Sequence, residues 1–227
     1  MTASLVSRIS NKSLLIWDLF DPSALAFYRK LSRPVDGWLT RNEESALFRL
    51  AGAVPSDQCI VELGSWFGRS AILLGGGSLK GRGAPVFAVD LFRAAGCAKD
   101  LLEKRAGDAA NDFLPKFIDN MRAARLEQRV TAIRSATAEL GESWTGPPVG
   151  LLFIDADHSY EGVRADWTSW KGRLAPAAKV AFHDYENSAY EGVTRFVNEL
   201  LAGGGLRSVE RHDSILCGEV LHAGPAT

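Results

Sequence analysis

CIVELGSWFGRSAILL, residues 59–74, is the stretch of sequence that predicts how the rest of the chain folds. Its first five residues are apolar apart from Glu62, which is typical of a short buried strand. Gly64 and Gly68 bracket a turn, where the missing Cβ lets the backbone bend sharply and approach a bound molecule. A helix begins directly after this turn, and the free N–H groups at its start favour a carboxylate or a phosphate. The alternative is an ordinary strand–turn–helix unit that only supports a sheet.

The composition is that of one α/β domain with additions, because 227 residues of which 46% are hydrophobic can bury a substantial core. The net charge of -1 argues against nucleic acid or an anionic membrane surface as a partner. Cys59, Cys97 and Cys217 have neither metal-site nor disulfide spacing, which favours a reducing cytoplasm. The longest apolar run near the N-terminus, residues 14–17, is too short to span a bilayer.

Strand and helix patterns alternate along the rest of the chain. Apolar runs predict four further core strands, at residues 86–89, 130–134, 149–154 and 179–182. Two short segments predict a closing antiparallel hairpin, at residues 208–210 and 214–217. The first core helix is expected to stop at the three glycines of residues 75–77. The predicted fold is therefore α/β, a Rossmann-like doubly wound sheet that is mostly parallel with a C-terminal antiparallel hairpin, plus N-terminal helices.

Two segments are expected to decorate this core. Residues 1–55 form a helical lead-in, where Thr40 and Glu43 make a capping box and Gly52 ends the second helix. This lead-in is a candidate lid or a candidate interface for a homodimer. Residues 56–227 form the main domain, and a mobile insertion around residues 91–110 has no clean periodicity.

Polar side chains follow the end of every predicted core strand. In chain order they are Glu62, Asp90, Ser135, the run from Asp155 to His158, and the pair His183 and Asp184. Because the carboxyl ends of parallel strands open on the same rim, these groups are expected to meet at one site. A structural role for each residue, as a helix cap or in a salt bridge, is the alternative.

The glycine spacing separates two classes of nucleotide-like ligand. Asp90 is placed to accept hydrogen bonds from the hydroxyls of a ribose, which is a feature that NAD enzymes share. A dinucleotide turn would contain Gly-x-Gly-x-x-Gly, whereas this chain has Glu-x-Gly-Ser-x-x-Gly at residues 62–68. The missing early glycine argues against close approach of the backbone to a pyrophosphate.

The fourth and fifth strand ends suggest metal-assisted deprotonation of a hydroxyl. Asp155 and Asp184 are candidate oxygen ligands of Mg2+, which would hold and polarise the hydroxyl. His158 could take the proton, because imidazole titrates near neutral pH, and Asp157 is the rival base. His183 is a candidate third ligand, which would favour Mn2+, or it lies behind the ligands as a supporting residue.

Several of these segments resemble class I S-adenosylmethionine-dependent methyltransferases. They are VELGS and GRS at residues 61–65 and 68–70, VD at 89–90, FIDADHSYEGV at 153–163, and HD at 183–184. The most similar subgroup contains small bacterial metal-dependent O-methyltransferases with an Ile-Asp-x-x-His-x-Tyr segment, which act on sugars and other hydroxylated metabolites. The resemblance covers about residues 40–197.

The resemblance implies roles for the residues at the rim. The turn would hold the methionine part of the cofactor, Asp90 its ribose, and Ser135 its adenine side. The residues assigned to the cofactor are Glu62, Gly64, Ser65, Gly68, Ser70, Asp90, Ser135, Ala136 and Asp155. The metal would be bound by Asp155, His183 and Asp184, although the relatives carry an acidic pair where this chain has His183 and Asp184.

The predicted function is methylation of a hydroxyl by S-adenosylmethionine, with Mg2+ or Mn2+, on a sugar, a saccharide precursor or a related metabolite. One alternative is a metal-independent methyltransferase with His158 as its sole base. Another is an NAD-type oxidoreductase on the same fold, and a third is a non-catalytic binding module. The expected partner is the small-molecule or saccharide acceptor.

Overall fold

The structure is a computed structural model that describes residues 22–93 and 112–221. The described helices are α1 (Pro22–Ser32), α2 (Arg41–Ala53), α3 (Arg69–Lys80), α4 (Leu114–Ala123), α5 (Thr137–Ser143), α6 (Tyr160–Trp170) and α7 (Glu191–Ala202). The strands are β1 (Cys59–Leu63), β2 (Val86–Asp90), β3 (Val130–Arg134), β4 (Val149–Ile154), β5 (Leu174–Phe182), β6 (Leu206–His212) and β7 (Ile215–Val220). Most of the expected insertion around residues 91–110 lies outside the described residues.

The strands form one seven-stranded sheet in the order β3-β2-β1-β4-β5-β7-β6. Strands β1 to β5 pair in parallel, and β7 pairs antiparallel with both β5 and β6. The predicted doubly wound sheet and its closing hairpin are thereby confirmed. The order reverses between β1 and β4, so the carboxyl ends of these two neighbours form the switch point where such sheets bind ligands. Among the described helices, none is long and apolar enough to cross a membrane.

The sheet is covered on both faces, which explains why its central strands are apolar without alternation. In β1, Ile60 belongs to the core cluster under α1 to α4. Its neighbours Val61 and Leu63 belong to the second cluster, under α6 and α7. Burial of both faces holds the strand ends in fixed register, and these ends carry the polar residues of the rim.

The three glycines of residues 75–77 do not stop α3, contrary to the prediction from sequence, because the helix runs on to Lys80. Their role is close packing. A Cβ on Gly76 would lie 2.4 Å from Cγ of Tyr28, and one on Gly77 would lie 2.2 Å from the main-chain oxygen of Phe48. Gly52 likewise lies inside α2 instead of ending it, and its backbone faces Gly81. The glycines therefore let α1 and α2 approach the backbone of α3.

Two further elements differ from the prediction. Helix α5 was not predicted, and β5 begins at Leu174 instead of Lys179. Pro176 lies within this strand because the pairing with β4 is interrupted there, and Ala177 has a φ of 60°. Such an irregularity tolerates a residue that cannot donate a hydrogen bond.

Candidate active site

The turn after β1 lies against the end of β4. Gly64 has a φ of 84°, and a Cβ built on it would lie 2.2 Å from the main-chain oxygen of Asp155. The Asp155 amide donates to the Leu63 carbonyl at 2.8 Å. Gly68 has a φ of 92° and caps α3. Glycine is required at residue 64 because a side chain would both strain the backbone and collide with the neighbouring strand end.

Asp90 holds this turn in place from the end of β2. Its Oδ2 accepts hydrogen bonds from the amides of Ser65 at 2.9 Å and Trp66 at 3.0 Å, and its Oδ1 accepts from the Phe92 amide at 2.7 Å. Burial raises the pKa of Asp90, although these backbone hydrogen bonds oppose the shift. Asp90 therefore orders the turn, a role that its spacing did not reveal. Its contact with a ribose stays a prediction.

Glu62 is a fully buried carboxylate at the end of β1. Within the described part of the chain, neither of its carboxylate oxygens has a hydrogen-bond partner. Burial raises its pKa to about 7, an effect that the proximity of the Ser65 and Ser70 side chains partly offsets and the charges of Asp155 and Asp90 increase. A buried carboxylate without a partner beside a glycine turn fits a ligand that brings positive charge, as S-adenosylmethionine does.

The predicted adenine side lies at the end of β3, next to Asp90. The Ser135 amide donates to the Asp90 carbonyl at 3.1 Å, and the Ser135 hydroxyl donates to the Ala136 carbonyl at 3.1 Å. Ala136 is the N-cap of α5. The structure therefore places both residues on the same rim as the turn.

Two imidazoles and two carboxylates meet at the ends of β4 and β5. Nε2 of His158 lies 3.4 Å from Oδ1 of Asp155 and 3.1 Å from Oδ2 of Asp184. Nδ1 of His183 lies 3.0 Å from the same Asp155 oxygen and 3.3 Å from the same Asp184 oxygen. Each carboxylate therefore contacts both rings. We call these four residues the acid–imidazole cluster.

In the acid–imidazole cluster, the negative carboxylates and the positive imidazoles stabilise each other's charged forms. Burial lowers the pKa of His158, but its contacts with Asp155 and Asp184 outweigh burial and raise the pKa to about 10. The pKa of His183 is also raised, because the neighbouring carboxylates outweigh its burial. Burial raises the pKa of Asp184, yet its contacts with both imidazoles bring the net value below the usual range. His158 is therefore protonated in this arrangement unless other positive charge offsets the carboxylates.

Asp157, the rival base, does not join the acid–imidazole cluster. Its side chain is exposed, and Oδ1 accepts a hydrogen bond from the Ser159 amide at 2.8 Å. Ser159 in turn caps α6 by accepting from the Gly162 amide at 3.0 Å. The position of Asp157 is that of a residue that orders the start of a helix.

Three residues that sequence reasoning did not place at the site surround the acid–imidazole cluster. The Asn187 amide group donates to Oδ1 of Asp184 at 2.7 Å. The Tyr190 ring stacks on His158, with 4.2 Å between ring centroids and an angle of 23°. Oε2 of Glu43 lies 3.7 Å from Nε2 of His183. Only Glu43 carried a sequence signal, its capping box, and that signal pointed to a helix.

The donor atoms of Asp155, His183 and Asp184 converge as the ligands of a cation do. One donor atom from each residue lies within 4.8 Å of the others. Two carboxylates with one imidazole fit a borderline divalent cation such as Mn2+ better than Mg2+, which prefers oxygen ligands alone. These three residues would hold such an ion.

Comparison with known proteins agrees with this geometry. The sequence model of a methyltransferase-domain family matches residues 61–185, which is more than half of the chain. Solved structures with a similar fold include the O-methyltransferase NovP, at 18% identity and a TM-score of 0.61, with 80% of each chain covered. The calicheamicin methyltransferase CalS11 is 16% identical with a TM-score of 0.57, covering 88% of this chain and 93% of that one. An O-methyltransferase from Bacillus cereus in complex with SAH is 15% identical with a TM-score of 0.57, covering 88% and 92%.

At these identities the solved structures establish the fold, and the family match establishes membership. The matched span contains the turn at residues 64–68 after β1, which we call the donor turn, together with Asp90 and the acid–imidazole cluster. The chain therefore belongs to the methyltransferase-domain family, as a class I S-adenosylmethionine-dependent methyltransferase.

Proposed function

We propose that the protein is an O-methyltransferase that methylates a hydroxyl of a sugar, a saccharide precursor or a related hydroxylated metabolite, assisted by a divalent cation. The observation that carries this proposal is the acid–imidazole cluster beside the donor turn. A Cβ on Gly64 would touch the main chain of Asp155, whose side chain contacts both His158 and His183. A base and a methyl donor would therefore lie on adjacent strand ends.

The reaction requires removal of one proton and alignment of two reactants. The acceptor oxygen attacks the methyl carbon in line with the breaking carbon–sulfur bond, and the products are a methyl ether and S-adenosylhomocysteine. The cofactor carries the reactive methyl group, and the protein supplies orientation. Nε2 of His158 receives the hydroxyl proton while the stacked Tyr190 ring holds the imidazole in place. Asp184, 3.1 Å from Nε2, then stabilises the imidazolium that forms.

A divalent cation would supply the positive charge that offsets Asp155 and Asp184 and would polarise the acceptor hydroxyl. Asp155, His183 and Asp184 would hold it. Asn187 would then orient the Asp184 carboxylate, because its amide already donates to Oδ1. Offsetting the two carboxylates is what leaves His158 free to accept a proton near neutral pH.

Support for a sugar acceptor comes from the relatives. A second structure of CalS11, with a TM-score of 0.53 at 16% identity, is described as a TDP-rhamnose 3'-O-methyltransferase. NovP is described as an O-methyltransferase. We extend these descriptions to this chain as the class of acceptor, a hydroxyl on a sugar or on another hydroxylated metabolite.

The remaining expectations are proposals of the same kind. A cytoplasmic enzyme without nucleic acid or membrane partners fits the net charge of -1. A homodimer would use the N-terminal helices, where Phe27 of α1 is 54% exposed. A metal-independent enzyme with His158 as sole base is the second candidate function, in which the positive charge of the cofactor would have to offset Asp155 and Asp184. Membership of a methyltransferase family argues against the NAD-type oxidoreductase.

The proposed function is tested by methyl transfer with purified protein. We expect labelled methyl groups to pass from S-adenosylmethionine to a nucleotide sugar or another hydroxylated acceptor in a panel. Dialysis against a chelator should abolish turnover, and Mn2+ should restore it better than Mg2+ because one ligand is nitrogen. Turnover that is unchanged by chelation would favour the metal-independent enzyme. Failure to bind S-adenosylhomocysteine in calorimetry would contradict both candidates.

Cofactor binding is expected to release a proton from Glu62. Burial raises its pKa to about 7 in the cofactor-free protein, so this proton is partly retained near neutral pH. The positive charge of S-adenosylmethionine favours the carboxylate form, and affinity should therefore rise as the pH rises through 7. Calorimetry at pH 7 in two buffers of different ionisation enthalpy measures the release. Glu62→Gln should abolish it, and the exposed control Glu127→Gln should not.

A further inference from the structure

Glu43 is a buried carboxylate on α2, outside the span that matches the methyltransferase family. It is 2% exposed and lies in the first turn of the helix. A charge in such a place is costly unless partners compensate it. The partners of Glu43 come from three parts of the chain, and one of them is His183 in the acid–imidazole cluster.

The neutral partners of Glu43 tie α2 to the C-terminal hairpin. Oε2 accepts a hydrogen bond from the Thr40 amide at 2.8 Å, which completes the predicted capping box. Oε1 accepts from the Ser214 amide at 2.9 Å and from the Ser214 hydroxyl at 2.6 Å. Asp213 strengthens the link, because it accepts from the Asn42 amide group at 3.1 Å and from the Thr40 hydroxyl.

These neutral hydrogen bonds do not require a charge. A capping box works with glutamine as well as with glutamate, because its side chain only has to accept a hydrogen bond. The Ser214 donors would also be satisfied by an amide oxygen. The negative charge of Glu43 therefore needs a separate explanation, and its ion-pair partner supplies one.

The ion-pair partner of Glu43 is His183, through Nε2, the ring nitrogen that faces away from Asp155. Nε2 of His183 lies 3.7 Å from Oε2 of Glu43 and has no hydrogen bond to any residue that the structure describes. The ring is 6% exposed, and its other nitrogen, Nδ1, lies 3.0 Å from Oδ1 of Asp155. His183 is thus held between carboxylates on opposite edges. Imidazoles at metal sites commonly have this arrangement, with the second N–H facing a carboxylate.

We propose that Glu43 is a positioning residue of the active site, which holds Nε2–H of His183 so that Nδ1 stays directed at Asp155 and Asp184. Packing of α2 against the sheet then brings Glu43 to the acid–imidazole cluster, and α2 thereby contributes a side chain to the active site. The inference rests on the proposed function where it concerns turnover. The part of the inference that concerns the orientation and protonation of the His183 ring does not depend on the proposed function.

The test is Glu43→Gln, with Glu44→Gln as a matched control. Glu44 is the adjacent residue on the same helix and is also buried, but it pairs with Arg29 at 3.0 Å and Arg69 at 3.2 Å. We expect Glu43→Gln to lower kcat and to weaken Mn2+ binding by calorimetry on the cofactor-free protein, each about 10–100-fold. Its KM for S-adenosylmethionine should change less than twofold. Glu44→Gln should lower the melting temperature without these effects on the folded enzyme.

Nitrogen-15 NMR of the histidine side chains gives a readout that does not depend on activity. In the wild-type protein Nε2 of His183 should carry a proton, and Glu43→Gln should shift its resonance while leaving that of His212 unchanged. An unprotonated Nε2 in the wild type would overturn the proposal, and this measurement stands even if the variant does not fold. Equal kcat and equal Mn2+ affinity in folded Glu43→Gln and wild type would also overturn it. A wild type without methyl transfer would contradict the proposed function and leave the NMR result to decide on Glu43.

Discussion

Replacement of His158 by alanine is expected to lower kcat by about 10²–10⁴, the usual contribution of a general base. Nε2 of His158 lies 3.1 Å from Asp184 and 3.4 Å from Asp155, at the strand ends beside the donor turn. Removal of the imidazole leaves the acceptor hydroxyl without a nearby proton acceptor. Affinity for S-adenosylhomocysteine should change less than threefold, because the donor turn and Asp90 are untouched. Single-turnover kinetics and calorimetry on the same variant measure the two quantities separately.

The comparison variant for this experiment is Asp157→Asn, because Asp157 is the rival base. Its carboxylate is exposed and accepts from the Ser159 amide, a bond that the asparagine oxygen can also accept, so its replacement should change both helix stability and turnover little. A variant His158→Ala with the wild-type kcat, together with an inactive Asp157→Asn, would transfer the role of base to Asp157. If both variants kept wild-type activity, neither His158 nor Asp157 would be the group that removes the proton.

Gly77→Ala is expected to destabilise the protein by about 3 kcal/mol, the upper end of the usual cost of overpacking. A Cβ at this position would lie 2.2 Å from the main-chain oxygen of Phe48 in α2. A main-chain carbonyl cannot rotate away as a side chain can, so the two helices must move apart. Alanine favours a helix over glycine by about 1 kcal/mol, and the expected loss shows that packing outweighs this propensity. Chemical denaturation measures the change in the free energy of unfolding.

Gly172→Ala is the control for this substitution. A Cβ on Gly172 would meet nothing within 4 Å. Its effect should therefore stay within about 0.5 kcal/mol, as for most surface substitutions. If Gly77→Ala proved as stable as Gly172→Ala, the close approach of α2 to α3 would not be a requirement of the fold.

The central strands were predictable because their burial on both faces leaves apolar runs that local patterns reveal. The run at residues 149–154 is β4 as predicted, and residues 59–63 are β1. The prediction that the glycines of residues 75–77 stop the first core helix was wrong, because it relied on the low helix propensity of glycine. Here the gain from packing α1 and α2 against α3 overrides that propensity, and packing partners that are distant in sequence leave no local signal.

The polar rim was predictable for a topological reason, since parallel strands end on the same edge. This argument brought Asp155, His158, His183 and Asp184 together, and the structure places all four in contact. The raised pKa of His158 was not predictable, because it depends on two carboxylates that contact one nitrogen. The contact between Glu43 and His183 was not predictable either, because the two residues are far apart in sequence, one on an N-terminal helix and the other after the fifth strand.

The hydrogen bonds between the start of α2 and the turn after β6 form a seam whose two halves are residues 40–43 and residues 213–214. This seam has a practical consequence for protein production. Thr40 and Asn42 bond to Asp213, and Glu43 bonds to Ser214, while the family match spans only residues 61–185. A fragment trimmed to that match would lose both halves of the seam, together with β7, and would leave β5 with an unpaired edge. We therefore expect a stably folded fragment to begin ahead of Thr40 and to continue through β7, so the limits of the family match are poor guides for cloning it.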